Sequence, residues 1–345
     1  MSASETSALG QVRKSHLTEL DGFRGLSILA VLAAHMLPLG PEAWQGNSTA
    51  GYMGMSVFFA LSGFLIAQFL WINQDVGTFF IRRLARIVPL ALLVSVIYCL
   101  MLEGRIDSFL AVNTYTLNYW HSAIAPSISP LWSLGVEMQF YLAIGLSILF
   151  FGRAGFWMVP VAAASVMGFR VAYGVFGAIP THLRVDEILA GSMLALLWLN
   201  RDHQRLKRIW RALPEAFWPI FALWLLSCWP PSHALGYFRP YLTAALIGSV
   251  MAMESGWQRA LLGTGALRYI ATISFALYLW HSPFRHGWWD AGSDLERYLF
   301  KRPLAFAAIF ALAHASTFYF ERPITRAARD RTQKRVATAK AQGAG

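Results

Sequence analysis

The chain of 345 residues is 56% hydrophobic, 14% aromatic and only 14% charged, and its formal net charge is +11. An ordinary soluble domain carries about 25% charged residues, so this composition excludes a soluble globular enzyme and a disordered chain and indicates an integral membrane protein. The basic charge is typical of cytoplasmic loops in membrane proteins, so we expect no nucleic acid partner.

Ten mostly apolar segments predict an all-α integral membrane protein with about ten transmembrane helices, because a spanning helix needs about 20 such residues. In chain order the predicted spans cover residues 21–40, 53–72, 87–103, 132–151, 156–175, 184–200, 214–231, 239–254, 267–284 and 303–320. We expect residues 1–20 to form a cytoplasmic tail, 21–320 a transmembrane domain and 321–345 a basic cytoplasmic tail. The first span has no convincing cleavage site, so we expect it to be retained as a helix.

The distribution of basic residues predicts an N-in/C-in orientation. With alternating spans, about 20 of the 29 Lys and Arg residues fall in cytoplasmic segments, as positive-inside topology requires. Arg184 and Arg239 count among the few in outer segments.

Cys99 and Cys228 lie in apolar runs, which predicts buried thiols rather than a disulfide.

Charged and titratable residues inside the predicted spans are candidates for function, because they are costly in a bilayer. Arg24 and His35 are 11 positions apart, which places them on one helix face and roughly 16 Å apart along the axis. For Arg170 and His314 we expect packing or pairing with other side chains.

Three polar residues on three predicted helices fall at one depth. His35, Glu137 and His281 each lie about 21 Å from the cytoplasmic end of the membrane core. Mutual pairing is the cheapest way to keep them there, and a carboxylate near an imidazole is the arrangement that a general base needs. Ser133, Glu137 and Tyr141 follow at i, i+4 spacing and share a face.

A cluster of arginines is predicted to begin the third helix at the cytoplasmic surface. Arg83 and Arg86 share a face at i, i+3 spacing, next to Arg82 and just before Pro89. Two interpretations stay open: an ordinary positive-inside cluster, or a phosphate clamp, since guanidinium groups match phosphate oxygens.

Six ordered segments carry a resemblance to a known family. They are LDGFRGLSILAVLAAH (20–35), GMSVFFALSGFLI (54–66), RRLARIVP (82–89), LWSLGVEMQFYL (131–142), ISFALYLWHSP (273–283) and FERP (320–323). In this order they resemble the acyltransferase type 3 family, membrane enzymes of which many O-acetylate bacterial polysaccharides, O-antigen or macrolides. The match runs from about residue 17 to 323, nearly the whole chain.

The family's motifs map onto residues already singled out. Its Arg-x10-His motif falls on Arg24 and His35, its Arg-x-x-Arg motif on Arg83 and Arg86, its Ser-x-x-x-Glu motif on Ser133 and Glu137, and its Tyr-Leu-Trp-His segment on Tyr278 to His281. The usual pattern close to SLSVEEQFYL is altered here at Gly135 and Met138, so Glu137 carries any acidic role alone. The esterase-like domain fused to some members is not in this sequence, which indicates the stand-alone type.

The resemblance implies a multi-pass acyltransferase of the bacterial inner membrane. It would move an acyl group, expected to be acetyl, from cytoplasmic acyl-CoA to a hydroxyl of a carbohydrate acceptor at the outer side. The expected catalytic residues are His35 and Glu137, the expected CoA-binding residues are Arg24, Arg83 and Arg86, and the expected support and acceptor-side residues are Ser133, Tyr141, Tyr278, Trp280 and His281.

Two mechanisms stay open for His35, namely a general base on the acceptor hydroxyl or a nucleophile that carries the acyl group. We expect no metal, because the loop histidines lack ligand spacing, and no permanently bound cofactor. Acetyl-CoA or another acyl-CoA is the expected donor substrate.

Other functions remain compatible with the sequence. A secondary transporter or exporter also places ionisable residues near the membrane midplane, although no repeat relates the two halves of this chain. An acyltransferase for a non-sugar acceptor such as a macrolide is a further alternative. A non-catalytic scaffold in polysaccharide assembly would leave His35 and Glu137 without a purpose.

Overall fold

A computed structural model describes the backbone of residues 3–342 and the side chains of residues 18–335, and within these ranges it contains helices and loops but no strand. The α-helices, numbered in chain order, are Ala3–Met36 (α1), Gly46–Ile72 (α2), Val76–Ser95 (α3), Ile106–Asn113 (α4), Trp132–Phe151 (α5), Met158–Ala172 (α6), Thr181–Arg184 (α7), Asp186–Leu199 (α8), Gln204–Ala212 (α9), Phe217–Cys228 (α10), Arg239–Ala252 (α11), Trp257–Leu262 (α12), Gly265–Trp280 (α13), Asp294–Glu296 (α14), Arg302–Ala315 (α15) and Arg322–Gln342 (α16).

Shorter helical segments extend or connect these helices. Three π-helical segments lengthen α3 and link α14 to α15 and α15 to α16: Val96–Leu102, Arg297–Lys301 and Ser316–Glu321. The 3₁₀ turns are Glu42–Trp44, His121–Ala123, Pro126–Leu131, Gly152–Trp157, Pro230–Tyr237, Ser282–Arg285 and Gly287–Trp289.

The predicted all-α class is confirmed for the described residues, which form helices and no strand, and each of the ten predicted spans overlaps one of these helices. Within the described part of the chain, four helical stretches are long and apolar enough to cross a membrane: Glu42–Ile72, Val76–Leu102, Pro126–Ala172 and Asp294–Arg335. The count of ten spans, the N-in/C-in orientation and the cytoplasmic placement of the tails remain predictions. Residues 1–2 and 343–345 of those tails lie outside the described residues.

The chain divides into two compact units. The first takes the described residues through Gln68 together with Val159–Ala178 and His182–Ser274. It therefore holds α1, most of α2, α6, α8 to α12 and the beginning of α13. In this unit α11 packs between α8 and α10, and α1 contacts α11 and α12.

Helices α2 and α8 of the first unit approach each other backbone to backbone. A Cβ atom on Gly63 would lie 1.8 Å from the carbonyl oxygen of Ile188, and one on Gly191 would lie 1.8 Å from that of Ala60. Neither position has room for a side chain, so the two glycines permit this close contact. The contact brings Ser56 of α2 next to the first turn of α8.

The second unit comprises Phe69–Met158, Ile179–Thr181 and the described residues from Phe275 onward. It holds α3, α4, α5, the end of α13 and α14 to α16. Helix α3 contacts both α5 and α16. The Nε atom of Arg82 donates a 2.9 Å hydrogen bond to Thr332 Oγ1, which ties α3 to α16.

Helix α3 begins at Val76 and not at residue 87, so the predicted start is wrong. Asp75 caps the helix, because its Oδ1 accepts from Thr78 N at 2.9 Å and its Oδ2 accepts from Thr78 Oγ1 at 2.6 Å. These hydrogen bonds from Thr78 lower the pKa of the Asp75 carboxyl below its ordinary value. The cluster Arg82–Arg86 consequently lies within the helix and not at its beginning.

Candidate active site

Two of the predicted support residues meet in the second unit. Ser133 Oγ on α5 lies 2.8 Å from the hydroxyl of Tyr278 on α13, and both side chains are buried. The Tyr278 hydroxyl donates its single hydrogen to the carbonyl of Pro130, so Ser133 is the donor in the bond to Tyr278. The Ser133 hydrogen is thus engaged in a bond between helices, which suits a supporting role better than that of a nucleophile.

The predicted common face of Glu137 and Tyr141 is confirmed. The Tyr141 hydroxyl donates a 3.0 Å hydrogen bond to Glu137 Oε1 within the buried part of α5. The guanidinium carbon of Arg83 lies 5.9 Å from the centroid of the Tyr141 ring. Phe79 packs edge-on against the same ring, with centroids 5.9 Å apart. Glu137, Tyr141 and Arg83 therefore form one local cluster.

The three arginines of α3 have different surroundings. Arg82 is bonded to Thr332 and lies 6.0 Å from the ring centroid of Phe69. Arg83 is half-buried against Tyr141, whereas Arg86 is exposed. The two arginines predicted to bind phosphate, Arg83 and Arg86, therefore do not include Arg82, whose side chain is already bonded to α16.

Tyr278, Trp280 and His281 are held by helix packing at the end of α13. His281 is fully buried, and its Nδ1 lies 2.7 Å from the carbonyl oxygen of Tyr278. A carbonyl oxygen only accepts, so Nδ1 carries the proton and Nε2 is the acceptor nitrogen of the neutral ring. Trp280 Nε1 donates to Ser316 Oγ at 3.1 Å, and the Tyr98 hydroxyl donates to the Trp280 carbonyl at 3.2 Å.

A ring of hydrogen bonds around Gln139 of α5 was not foreseen from the sequence. Gln139 Nε2 donates to the Tyr115 carbonyl at 2.7 Å and to Asn118 Oδ1 at 3.2 Å. Asn118 Nδ2 donates to Thr181 Oγ1 at 2.8 Å, and the Thr181 hydroxyl in turn donates to Gln139 Oε1. This ring fixes Gln139, which lies in one of the six segments that carry the family resemblance, residues 131–142.

His35 lies in the last turn of α1, because α1 ends at Met36 and the predicted first span is too long at this end. The side chain of Asn47 caps that end of the helix. Its Nδ2 donates to the carbonyls of Ala34 at 2.8 Å and Leu37 at 2.7 Å. Asn47, which the sequence did not single out, therefore fixes the backbone on both sides of His35.

The predicted site residues fall in both units. Arg24 and His35 belong to the first unit, where both are half-buried, whereas Glu137 and His281 belong to the second. The pairing of His35 with Glu137 or His281 therefore remains a prediction from the sequence.

A network of buried charges occupies the first unit. Arg170 of α6 pairs with Asp186, and both side chains are buried. Glu187 pairs with Arg184 at 3.2 Å and with Arg239 Nε at 3.0 Å. Each carboxylate thus has an arginine partner, as buried charges require.

Two neighbouring polar side chains complete this network. Ser56 Oγ donates to Glu187 Oε1 at 2.7 Å, and the ring centroid of Tyr52 lies 4.2 Å from the Arg239 guanidinium carbon. The expected pairing of Arg170 is confirmed. Arg184 and Arg239, which the sequence analysis counts in outer segments, are both buried in this network, and their side of the membrane remains a prediction. The signal in the sequence was the group of charges at the start of α8.

Other predicted features concern metals and thiols. Among the described residues no group of three His, Cys, Asp or Glu side chains is arranged to hold a metal ion. Cys99 and Cys228 are buried free thiols, as predicted.

The sequence model of a family described as "Acyltransferase domain" matches residues 17–322. The peptidoglycan O-acetyltransferase OatA of Listeria monocytogenes is 26% identical, over 91% of this chain and 56% of its own length. YrhL of Bacillus subtilis, named as a candidate peptidoglycan O-acetyltransferase, is 27% identical, over 78% of this chain and 48% of its own length. A candidate O-acetyltransferase of Staphylococcus aureus strain COL is 25% identical, over 86% of this chain and 55% of its own length.

The chain spans about half the length of the curated relatives it matches. No solved structure matches it significantly.

Proposed function

We propose, since this chain belongs to the acyltransferase family whose sequence model it matches over residues 17–322, that it is a membrane O-acetyltransferase. It moves an acetyl group from acetyl-CoA, or another acyl group from its CoA thioester, to a hydroxyl of a carbohydrate. The observation that carries the proposal is the buried carboxylate of Glu137, which Tyr141 holds on the apolar helix α5 within the matched region. Burying a carboxylate costs free energy, and an ionisable residue inside a membrane protein is a candidate for function.

The proposed reaction needs one proton transfer. The acceptor oxygen bonds to the acyl carbon, the thioester C–S bond breaks, and the proton of the acceptor hydroxyl ends on the CoA sulfur. In one route His35 removes this proton as a general base and returns it to the thiolate. In the other, His35 attacks the thioester first and passes the acyl group to the acceptor. Two roles for Glu137 stay open: to orient His35, as the sequence suggests, or to hold the acceptor.

Arg83 and Arg86 are proposed to bind the phosphates of acyl-CoA, together with Arg24. Guanidinium groups bind phosphate with paired, charge-assisted hydrogen bonds. Support comes from the surroundings of the α3 arginines, since Arg86 is exposed and Arg82 is already bonded to Thr332. Ser133, Tyr278, Trp280 and His281 then support the site or line its acceptor side.

The acceptor is proposed to be a glycan of the bacterial cell envelope, and the enzyme a multi-pass protein of the inner membrane. The names of OatA and YrhL make peptidoglycan the first acceptor to test. An exopolysaccharide or O-antigen is the next, and a macrolide represents the non-sugar class.

The proposal is tested with the purified full chain in lipid vesicles. Acetyl-CoA is supplied with and without soluble peptidoglycan fragments, free CoA is measured with a thiol reagent, and acetylated product is measured by mass spectrometry. We expect acceptor-dependent release of CoA in equal amount to the ester formed, and none from vesicles that contain His35→Ala. A transporter would release no CoA. Ester formed only from a donor other than acyl-CoA would overturn the donor assignment.

A further inference from the structure

An apolar cavity of about 540 Å³ lies within the first unit, between α1, α2, α10, α11 and α12. Its lining is apolar except for Ser27 and Gln258. Three large side chains of the lining, Leu26, Trp257 and Leu261, are 39%, 59% and 46% exposed, so the cavity is open at its rim. A cavity of this size and lining is suited to a hydrocarbon chain.

This cavity lies away from the candidate catalytic face of α1. The residues of α1 that line it lie about 140° to 300° around the helix from Arg24 at 100° per residue, so the middle of this arc is roughly opposite Arg24. His35 lies within about 20° of Arg24 on the same helical wheel. The apolar cavity is therefore distinct from the face that is proposed to act in acyl transfer.

A basic cavity of about 660 Å³ adjoins the apolar one. On α11, Val250 lines the apolar cavity and the next residue, Met251, lines the basic one. On α12, Gln258 lines the apolar cavity and Arg259 lines the basic one. The charged side chains that line the basic cavity are Arg201, Lys207, Arg211, Arg259, Asp202 and Glu254. Arg259 is paired with Glu19. The other basic groups, Arg201, Lys207 and Arg211, still outnumber Asp202 and Glu254, so the cavity favours an anion.

The Trp210 ring forms part of the wall of the basic cavity. Trp210 of α9 lines the cavity, and its buried Nε1 has no hydrogen-bond acceptor among the residues that the structure describes. The Trp210 ring packs edge-on against Trp198, with centroids 5.1 Å apart, which holds the indole in place.

Helix α9 has the character of a helix at a membrane surface. Arg205 and Arg208 are exposed, while Leu206 and Trp210 are half-buried. Basic amphipathic helices lie at the interface of anionic membranes, where each Lys or Arg near the surface strengthens the attraction to lipid phosphates.

We propose that the two adjoining cavities bind one anionic glycerophospholipid, with an acyl chain in the apolar cavity and the phosphate in the basic cavity. Such a lipid matches both linings within one molecule. Inorganic phosphate would leave the apolar cavity unfilled, and a neutral lipid would leave the excess basic charge unmatched. CoA has phosphates, but its polar pantetheine arm does not match the apolar lining.

The test uses the purified full chain, delipidated in detergent and incubated with equal amounts of phosphatidylglycerol and phosphatidylcholine. Native mass spectrometry counts the lipids that stay bound. Lys207→Ala with Arg211→Ala should lower the affinity for phosphatidylglycerol about tenfold or more, because two basic contacts are lost. The matched control is Arg205→Ala with Arg208→Ala, which removes the same charge from the same helix but outside the cavity lining.

The apolar cavity is tested independently. Ala30→Phe fills it and should also weaken phosphatidylglycerol binding, whereas Ala164→Phe at an exposed position of α6 should not. Each variant is checked for folding by its melting temperature. Loss of phosphatidylglycerol binding is thus tested separately for the basic cavity and for the apolar cavity.

Three outcomes would overturn the proposal. One is equal loss of phosphatidylglycerol from the 207/211 and 205/208 variants, which would mean attraction to the whole surface. Another is equal retention of phosphatidylglycerol and phosphatidylcholine by the wild-type protein. The third is displacement of phosphatidylglycerol by CoA or inorganic phosphate at equal concentration, which would identify a phosphate site without a lipid.

Discussion

The hydroxyl of Tyr141 donates a 3.0 Å hydrogen bond to Glu137 Oε1, one helical turn away on the buried face of α5. The ring of the same tyrosine lies 5.9 Å from the guanidinium carbon of Arg83. Tyr141 therefore contacts both the carboxylate of the candidate site and the arginine proposed to bind CoA. Its hydroxyl and its ring can be removed separately.

Tyr141→Phe keeps the ring and removes the donor to Glu137. We expect kcat to fall about tenfold or more with KM for acyl-CoA unchanged, because a hydrogen bond to a charged group contributes about 1.5–3 kcal/mol. Tyr141→Leu also removes the ring beneath Arg83 and should raise KM as well. Steady-state kinetics of CoA release measure both effects. Wild-type kinetics in Tyr141→Phe would show that the bond to Glu137 does not serve catalysis.

Replacing both Arg83 and Arg86 by Ala should raise KM for acyl-CoA about tenfold or more, because charge-assisted contacts to phosphate are lost. KM for the acceptor should stay the same. Arg82→Ala is the matched control on the same helix, since its side chain is bonded to Thr332. An unchanged KM for acyl-CoA in the double variant, or an equal rise of this KM in Arg82→Ala, would show that Arg83 and Arg86 do not bind the phosphates of acyl-CoA.

Glu187→Gln leaves Arg184 and Arg239 buried without their carboxylate. Breaking a buried ion pair by removing one partner destabilises a protein by about 3–5 kcal/mol. We therefore expect a clear fall in the melting temperature of the detergent-solubilised protein. Glu215→Gln, at an exposed position, is the control and should melt like the wild type. Equal melting of the two variants would mean that the network does not stabilise the first unit.

The helices were largely predictable, because apolar runs of about 20 residues have few other structures open to them. The predicted span 132–151 coincides with α5. The errors arose at helix ends, where single side chains decide. Asp75 starts α3 before the arginines, and Asn47 caps the end of α1, and neither residue belongs to an apolar run.

The candidate site was predictable only where its residues are close in sequence. The spacing of Glu137 and Tyr141 along α5 predicted that they share a face, and on that face they are hydrogen-bonded. The bond between Ser133 and Tyr278 joins residues far apart in the chain, and spacing carries no information on such pairs. For the same reason, the sequence did not predict that Arg170 pairs with Asp186 or that Arg239 pairs with Glu187.

Gly135, where the sequence departs from the usual family pattern, has a structural reason. A Cβ atom at this position would lie 2.5 Å from Asn118 Oδ1 and 2.9 Å from the carbonyl oxygen of Tyr115. The hydrogen-bonded ring that holds Gln139 therefore leaves no room for a side chain at 135. The motif change and the polar ring are two parts of one local arrangement.

His35 is proposed to take part in acyl transfer, and its removal is the sharpest test of the proposed function. Transfer of labelled acetyl from acetyl-CoA to the glycan is compared between wild type and His35→Ala, with melting temperatures as the check on folding. We predict a loss of about a hundredfold or more, the contribution of a general base or nucleophile, at an unchanged melting temperature. Near-normal transfer by a folded His35→Ala protein would contradict the account.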